Sequence, residues 1–333
     1  MRALTAVLLG FLFVLLAAAP AGAEAGRLER IRERGHLVCG IKTGIPGFAM
    51  IDPQGRHVGF EIELCRAMAA AIFGDGQRVE FVTAQRVEEF LAQDRIDVVM
   101  RRLTWELTRE AGRPMLFGPV MFYDGQGFLA RPGFETIASL ADQPVCIPHQ
   151  FAFLPTIDRE FRDRGLDLRR VIAATLAEAE RDFLAGRCVA LTADMSELVG
   201  TRVKAPGTHL LREQISKEPL APMLRDGDPA FFKLVRWTLL ALVEAEELGI
   251  TRAHADGYGA TRDDRVRRLL GITPGNGRAL GLPEDWARRM IGAVGNYAEI
   301  YDRTLGLTSG YALDRGLNRL WTDGGLLYSP PLR

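Results

Sequence analysis

The chain has 333 residues, with 42 lysines and arginines balanced by 42 aspartates and glutamates. That balance excludes the basic surface a nucleic-acid partner requires and the cationic face that would hold a protein tightly on an anionic membrane. A chain of this length accommodates two lobes of ordinary domain size.

Met1-Arg2 gives a short positive start, and residues 4–19 are almost wholly apolar. Pro20 then breaks the segment, and Ala21-Gly22-Ala23 offers the small residues that a signal peptidase selects. This order is that of a secretory signal peptide. An apolar run of about 16 residues falls short of the ~20 that cross a membrane, and no cysteine follows it closely enough for a lipoprotein site. The expectation is a signal peptide over residues 1–23, cleaved near Ala23, and a soluble mature chain outside the cytoplasmic membrane. Loss of Arg2 takes the basic residues from 42 to 41 against 42 acidic ones, so the mature chain stays near neutral.

Strands and helices then alternate. Residues 36–41 form a short apolar run ending in Gly and Pro signals, a predicted strand. Residues 60–72 have apolar residues at helical spacing and stop at Gly74-Asp75-Gly76. Strands are predicted at 79–82 and 96–100, with a helix at 87–93 between them. The resulting βαβαβ pattern implies parallel strands with ligand chemistry at their carboxyl ends. A second unit follows, with strands at 145–147, 170–172 and 189–191 and helices at 154–164 and 176–185. Gly125 to Ala130 lies between the units, and Gln214-Ile215-Ser216 leads back out. Two crossings between two α/β lobes are what a hinge requires. Beyond Pro229 the chain reads as mainly helical, at 230–247, 264–270 and 284–301.

Cys39, Cys65, Cys146 and Cys188 are an even set in an exported chain, which favours disulfides. Their spacings include no C-x-x-C and no histidine pair lies near them, so zinc is not expected. Four cysteines allow three pairings. Cys39 with Cys65 and Cys146 with Cys188 is the preferred one, because each bond then closes a loop within one lobe. Four buried free thiols are the alternative.

At this point the sequence resembles the periplasmic solute-binding proteins of ABC importers for polar amino acids (bacterial solute-binding protein family 3), in the general L-amino-acid-binding branch. The resemblance covers nearly all of the mature chain. Its anchors are Cys39-Gly40 with Gly44-Ile45-Pro46-Gly47-Phe48, then Gly59-Phe60-Glu61-Ile62-Glu63-Leu64-Cys65, then Tyr123-Asp124-Gly125-Gln126-Gly127-Phe128. Gly186-Arg187-Cys188, Ile215-Ser216-Lys217-Glu218-Pro219-Leu220, Val235-Arg236-Trp237-Thr238 and Glu246-Glu247-Leu248-Gly249-Ile250-Thr251 follow. Val294-Gly295-Asn296-Tyr297 and Arg315-Gly316-Leu317-Asn318 complete the series, all in the expected order. The resemblance implies an α/β, two-lobed periplasmic-binding-protein fold of type II, with two crossover hinge segments and a helical C-terminal extension on the first lobe. The first lobe would comprise residues 24–127 and 215–333, the second 128–214. The implied function is capture of an amino acid or related small carboxylate by hinge closure, followed by docking of the closed, monomeric protein on an inner-membrane permease. No cofactor, metal or enzymatic activity is implied. A sensory binding protein with a diverged pocket, or a dehydratase or lyase on the same fold, is the alternative.

Relatives hold the ligand carboxylate with an arginine after the third strand of the first lobe, which places that role on Arg109, with Thr104 also matching. A guanidinium suits it because its fork grips a carboxylate through two parallel hydrogen bonds. They hold the ligand amine with an aspartate after the last strand of the second lobe, here Asp194; an aspartate there also fits the N-cap of a following helix. Other positions depart from the pattern. Where relatives carry a Gly-Thr-Thr-Thr turn that meets the carboxylate at a helix N-terminus, this chain has His149, Gln150, Phe151, Ala152 and Phe153. Arg102 and Lys42 stand where relatives carry asparagine. An unpaired buried cation is expensive, so two basic pocket residues suggest a ligand more anionic than a neutral amino acid, such as glutamate, aspartate or another dicarboxylate. Pairing of Arg102 with Glu106 or Asp194 would remove that argument.

Competing motifs are weak. Gly125-x-Gly127-x-x-Ala130 is not placed between a strand and a helix as a dinucleotide fingerprint must be. The sequence holds no Gly-x-x-x-x-Gly-Lys-Ser/Thr, Gly-x-Ser-x-Gly or His-Glu-x-x-His. His149 alone of the five histidines falls near the expected cleft.

Overall fold

A computed structural model describes residues 26–83, 86–149 and 153–333. The expected signal peptide, together with Gln150 and Phe151, lies outside the described residues. Among the described residues no helix is long and apolar enough to cross a membrane.

The strand Leu37–Ile41 is buried along its whole length. An uninterrupted apolar run of this kind belongs between two covered faces of a parallel sheet. It lies parallel to both Val79–Thr83 and Val98–Met100. Two further strands extend this first sheet, Met223–Arg225 and Met115–Phe117, and Met223–Arg225 runs antiparallel to its neighbours. The second sheet repeats the plan. Arg169–Ala173, Pro144–Pro148 and Ala190–Asp194 are parallel, and Gln126–Ala130 and His209–Leu210 are added antiparallel. Both sheets are therefore mixed rather than wholly parallel. The antiparallel members are the segments where the chain crosses between lobes, so their direction follows from the crossing and not from local periodicity. Gln126–Ala130, which reads in sequence as part of a connection, is a fully buried strand of the second sheet.

The crossings themselves form a ribbon. Phe122–Asp124 pairs antiparallel with Glu218–Leu220, with Asp124 opposite Glu218. Asn318 of the C-terminal region clamps this ribbon: its side-chain oxygen accepts from the Tyr123 N–H at 2.6 Å, and its side-chain nitrogen donates to the Tyr123 carbonyl at 3.1 Å.

The helix Phe60–Phe73 is bounded by Gly59 and by Gly74, which adopts the left-handed conformation that ends helices. It is buried on nearly every side because helices of the extension pack over it. Pro229–Glu247 starts at a proline, and the Asp228 carboxylate accepts from the Phe231 N–H at 2.8 Å. The expected single helix at 284–301 is two, Trp286–Val294 and Tyr297–Thr304. Gly295 takes φ +82°, and the Asn296 side chain accepts from the Glu299 N–H. That capping box restarts the helix in a new direction. The turn delivers Trp286, Tyr297 and Tyr301, all fully buried, into the core of the first lobe.

Both preferred cysteine pairs are bonded. Cys39 joins Cys65 with Cα atoms 6.3 Å apart, and Cys146 joins Cys188 at 5.6 Å. Each bond ties a sheet to its own lobe, across 26 and 42 residues of chain respectively. Loops of that size are worth ~3.5–4 kcal/mol each in the chain-entropy account of crosslinks. Denatured, unreduced protein should show no titratable thiol and the reduced protein should melt well below the oxidised form. Four reactive thiols in the unreduced sample would contradict the pairing.

Candidate functional site

The strand Ala190–Asp194 runs straight into the helix Met195–Lys204, here termed the cleft helix. The helix starts at the carboxyl end of its strand, so its first residues are turned toward the first lobe. Asp194 occupies the N-cap position, yet its side chain makes no capping hydrogen bond. Burial is the main reason its carboxyl is pushed up to about 8, and the nearby negative charges of Asp124 and Glu197 push in the same direction.

Asp124, on the hinge ribbon, is only 3% exposed. One of its oxygens accepts from the N–H groups of Gly125 (2.9 Å) and Ser196 (3.2 Å). Burial raises it to about 6, against the opposing influence of Ser196 and Arg102. Glu61, near the start of the Phe60–Phe73 helix, is buried as well and is raised to about 7 by that burial, opposed by Arg102.

Arg102 lies at the centre of these groups. Its own backbone N–H donates to Glu61. Its guanidinium reaches out of the first lobe to the cleft helix, donating to the Ser196 hydroxyl and, at 3.0 Å, to Glu197. The ring of Phe48 lies 5.7 Å from it. Arg102 has φ +52°, a left-handed conformation that costs an arginine on the order of 1–2 kcal/mol. The surrounding bonds therefore hold a backbone geometry that the residue alone would not choose. The Arg102 partners are thus Ser196 and Glu197, and neither Glu106 nor Asp194 is hydrogen-bonded to it. Its counter-charge comes from the protein, which removes half of the argument for an anionic ligand. Lys42 is the other half. Its pKa is lowered by burial and by the adjacent charges of Arg102 and Arg101.

Three further expected site residues, Arg109, Thr104 and His149, are among the described residues. Arg109 sits on the short helix Leu107–Ala111, donating to the Thr104 carbonyl at 2.6 Å and lying 3.4 Å from Glu106. No bond joins it to Asp194 among the described residues. The Thr104 hydroxyl donates to Glu218 at 2.6 Å, so it supports the hinge ribbon. His149 is exposed at the end of its strand, its N–H donating to the Ala173 carbonyl at 2.7 Å.

Sequence reasoning did not single out Glu61, Asp124, Ser196, Glu197 or Glu218 as site residues. A signal existed for the first two: each is a carboxylate inside an otherwise apolar stretch, where burial without function is uncommon. The Nε of Arg102 and one oxygen each of Glu61, Asp124 and Glu197 are buried with no hydrogen-bond partner among the described residues. Such atoms are expensive to bury and mark a place where further donors and acceptors belong. No cluster of three or more histidine, cysteine or acidic side chains suited to a metal ion occurs among the described residues. A separate groove of about 810 Å³ lies behind the hinge, between Arg202, Leu210 and Arg212 of the second lobe and residues 312–319 of the extension.

Comparison with known proteins agrees with this architecture. The family described as bacterial extracellular solute-binding proteins, family 3, matches residues 37–252. A general L-amino acid-binding periplasmic protein of Rhizobium johnstonii is 38% identical over 328 residues, 96% of each chain. A glutamate/glutamine/aspartate/asparagine-binding protein of Rhodobacter capsulatus is 38% identical over 329 residues, 96% of this chain and 97% of its own. A solved periplasmic binding protein from Brucella ovis with glutathione bound superposes with a TM-score of 0.81 at 36% identity, over 93% of this chain and all of its own.

The raised carboxyls predict a pH dependence. Asp194 holds its proton up to about 8 in the folded protein, against an ordinary 3.8. The folded state thus binds more protons than the unfolded chain between those values, and this residue's contribution to stability falls as pH rises through that window. Asp194→Asn should therefore gain thermal stability relative to wild type as pH goes from about 5 to about 8. A difference in melting temperature that is flat or reversed across that range would contradict the assignment.

Proposed function

The chain belongs to the bacterial extracellular solute-binding proteins, family 3, and from that membership we propose that it is the substrate-binding component of an ABC importer. It captures an amino acid or related small carboxylate in the periplasm by closing its two lobes, and presents the closed form, as a monomer, to a permease in the inner membrane. The task is binding, not catalysis. Relatives that match 96% of the chain are amino-acid-binding proteins by name, and the two-lobed fold with its hinge ribbon supplies the motion.

One observation carries the ligand assignment. The Asp194 carboxylate is half-buried at the start of the cleft helix and makes no capping hydrogen bond there. A ligand ammonium supplies both the missing donors and the missing positive charge. Asp124 strengthens the negative potential there. We assign the ligand carboxylate to Arg109, which keeps N–H donors beyond the one it gives to the Thr104 carbonyl. We assign Lys42 and His149 to the ligand side chain. An acidic or amide side chain is favoured near Lys42; the Arg102 charge is already spent on Glu197.

An ammonium beside Asp194 stabilises its ionised form, so binding at neutral pH releases a proton. Affinity should rise with pH toward about 8. A thermal-shift screen of amino acids and dicarboxylates identifies the ligand, which at ~100 times its Kd adds ~2.7 kcal/mol. Calorimetry of that ligand in buffers of different ionisation enthalpy then reads proton release. Asp194→Ala and Arg109→Ala should each weaken binding by ~2–5 kcal/mol. A screen with no stabilising amino acid, or two variants that bind like wild type, would overturn the proposal.

A further inference from the structure

Contact between the lobes does not stop at Arg102. The cleft helix of the second lobe presents four successive points to the first. Ser196 and Glu197 receive the Arg102 guanidinium. Val199, fully buried, packs into the main apolar cluster of the first lobe. Gly200 comes so close to Pro46 that a Cβ on it would stand 2.7 Å from the proline ring. Arg202 donates to the carbonyl of Tyr311 in the extension. Positions 196, 199 and 200 share one helical face, with Glu197 and Arg202 reaching the first lobe from its two flanks, so the helix docks over its whole length, with an ion pair at its head and a glycine against Pro46.

We propose that Arg102 and the cleft helix form a built-in latch that holds the lobes closed through contacts the protein makes with itself. The guanidinium occupies the carboxylate-rich seam, neutralising Glu197 and facing Asp124 and Glu61. Gly200 permits the approach that brings the two into register. The latch sets how far closure proceeds before a solute contributes, because a ligand shifts the equilibrium only by its differential affinity for the two forms. Ser196, Glu197 and Gly200 are then positioning residues for closure, acting through the opposite lobe.

The inference is independent of which solute the cleft binds, and its test uses the full mature protein alone. Small-angle X-ray scattering reads the radius of gyration and the interlobe separation. Wild type should scatter as the closed form computed from this structure. Arg102→Asn, Glu197→Gln and Gly200→Leu should each shift the population toward a longer, open form, the first two by more than about tenfold in the closed-to-open ratio. Circular dichroism confirms that each variant is folded, and Glu197→Gln, a change of one charged group on a partly exposed helix, guards against loss of the arginine unfolding the lobe. Combining Arg102→Asn with Glu197→Gln should add little beyond either alone, as expected for one shared contact. Wild type that scatters as open as these variants, or variants that remain as compact as wild type, would overturn the latch whatever the outcome of any ligand screen.

Discussion

Four carboxylates, the buried Glu61 and Asp124 and the half-buried Asp194 and Glu197, meet in the seam between the lobes, and withdrawing them from water is the constraint on which the rest of the molecule turns. Withdrawing so many negative charges from water is strongly unfavourable unless each is protonated, paired or hydrogen-bonded. The protein uses all three means. Asp194 and Glu61 retain protons to higher pH than an exposed carboxyl would, Glu197 is paired with Arg102, and Asp124 accepts two backbone N–H groups. The seam therefore carries an unmet demand for positive charge and for donors, which is the demand an ammonium group satisfies. The proposed ligand ammonium and the proposed latch draw on this same seam.

The scaffold exists to hold that seam in register. Each disulfide fastens a sheet within its own lobe, and the chain passes between the lobes through the ribbon of Phe122–Asp124 and Glu218–Leu220. The ribbon is not free to flex arbitrarily. Thr104 grips Glu218 from the first lobe, and Asn318 grips Tyr123 from the extension. The C-terminal helices thus do more than cover the first sheet. Buried Tyr297 donates to the Met121 carbonyl at 2.7 Å, just ahead of the ribbon, and carries the core of the extension up to the hinge.

Much of this was legible in the sequence, for identifiable reasons. Strands expected at 36–41, 79–82 and 145–147 are found at Leu37–Ile41, Val79–Thr83 and Pro144–Pro148; the first stands out in sequence as a short apolar run ending in Gly and Pro signals, and the cysteine pairing follows from keeping each loop inside a lobe. The antiparallel strands were not legible, because Met223–Arg225 and His209–Leu210 are too short to show a period and are defined by partners far away in sequence. The cleft helix was legible only as the helix that Asp194 would cap; its contacts with the first lobe were not, because they join residues far apart in sequence. Arg102 illustrates the limit most clearly. A partner four residues on, Glu106, is the natural guess for an arginine on a helix. Here the backbone at Arg102 is left-handed, no helix is present at that point, and the partner lies 95 residues away on the opposite lobe. Asp194 as a ligand contact came from family resemblance; its raised proton affinity and missing cap bond needed coordinates.

A crystal structure of the mature protein with its best-stabilising amino acid tests the central claim most directly. The account predicts the ligand ammonium within hydrogen-bond distance of Asp194 (~2.7–3.2 Å for N–H···O), buried between the cleft helix and the first lobe. Ligand bound instead in the groove behind the hinge, against Arg202 and residues 312–319, with Asp194 making no contact to it, would contradict the account.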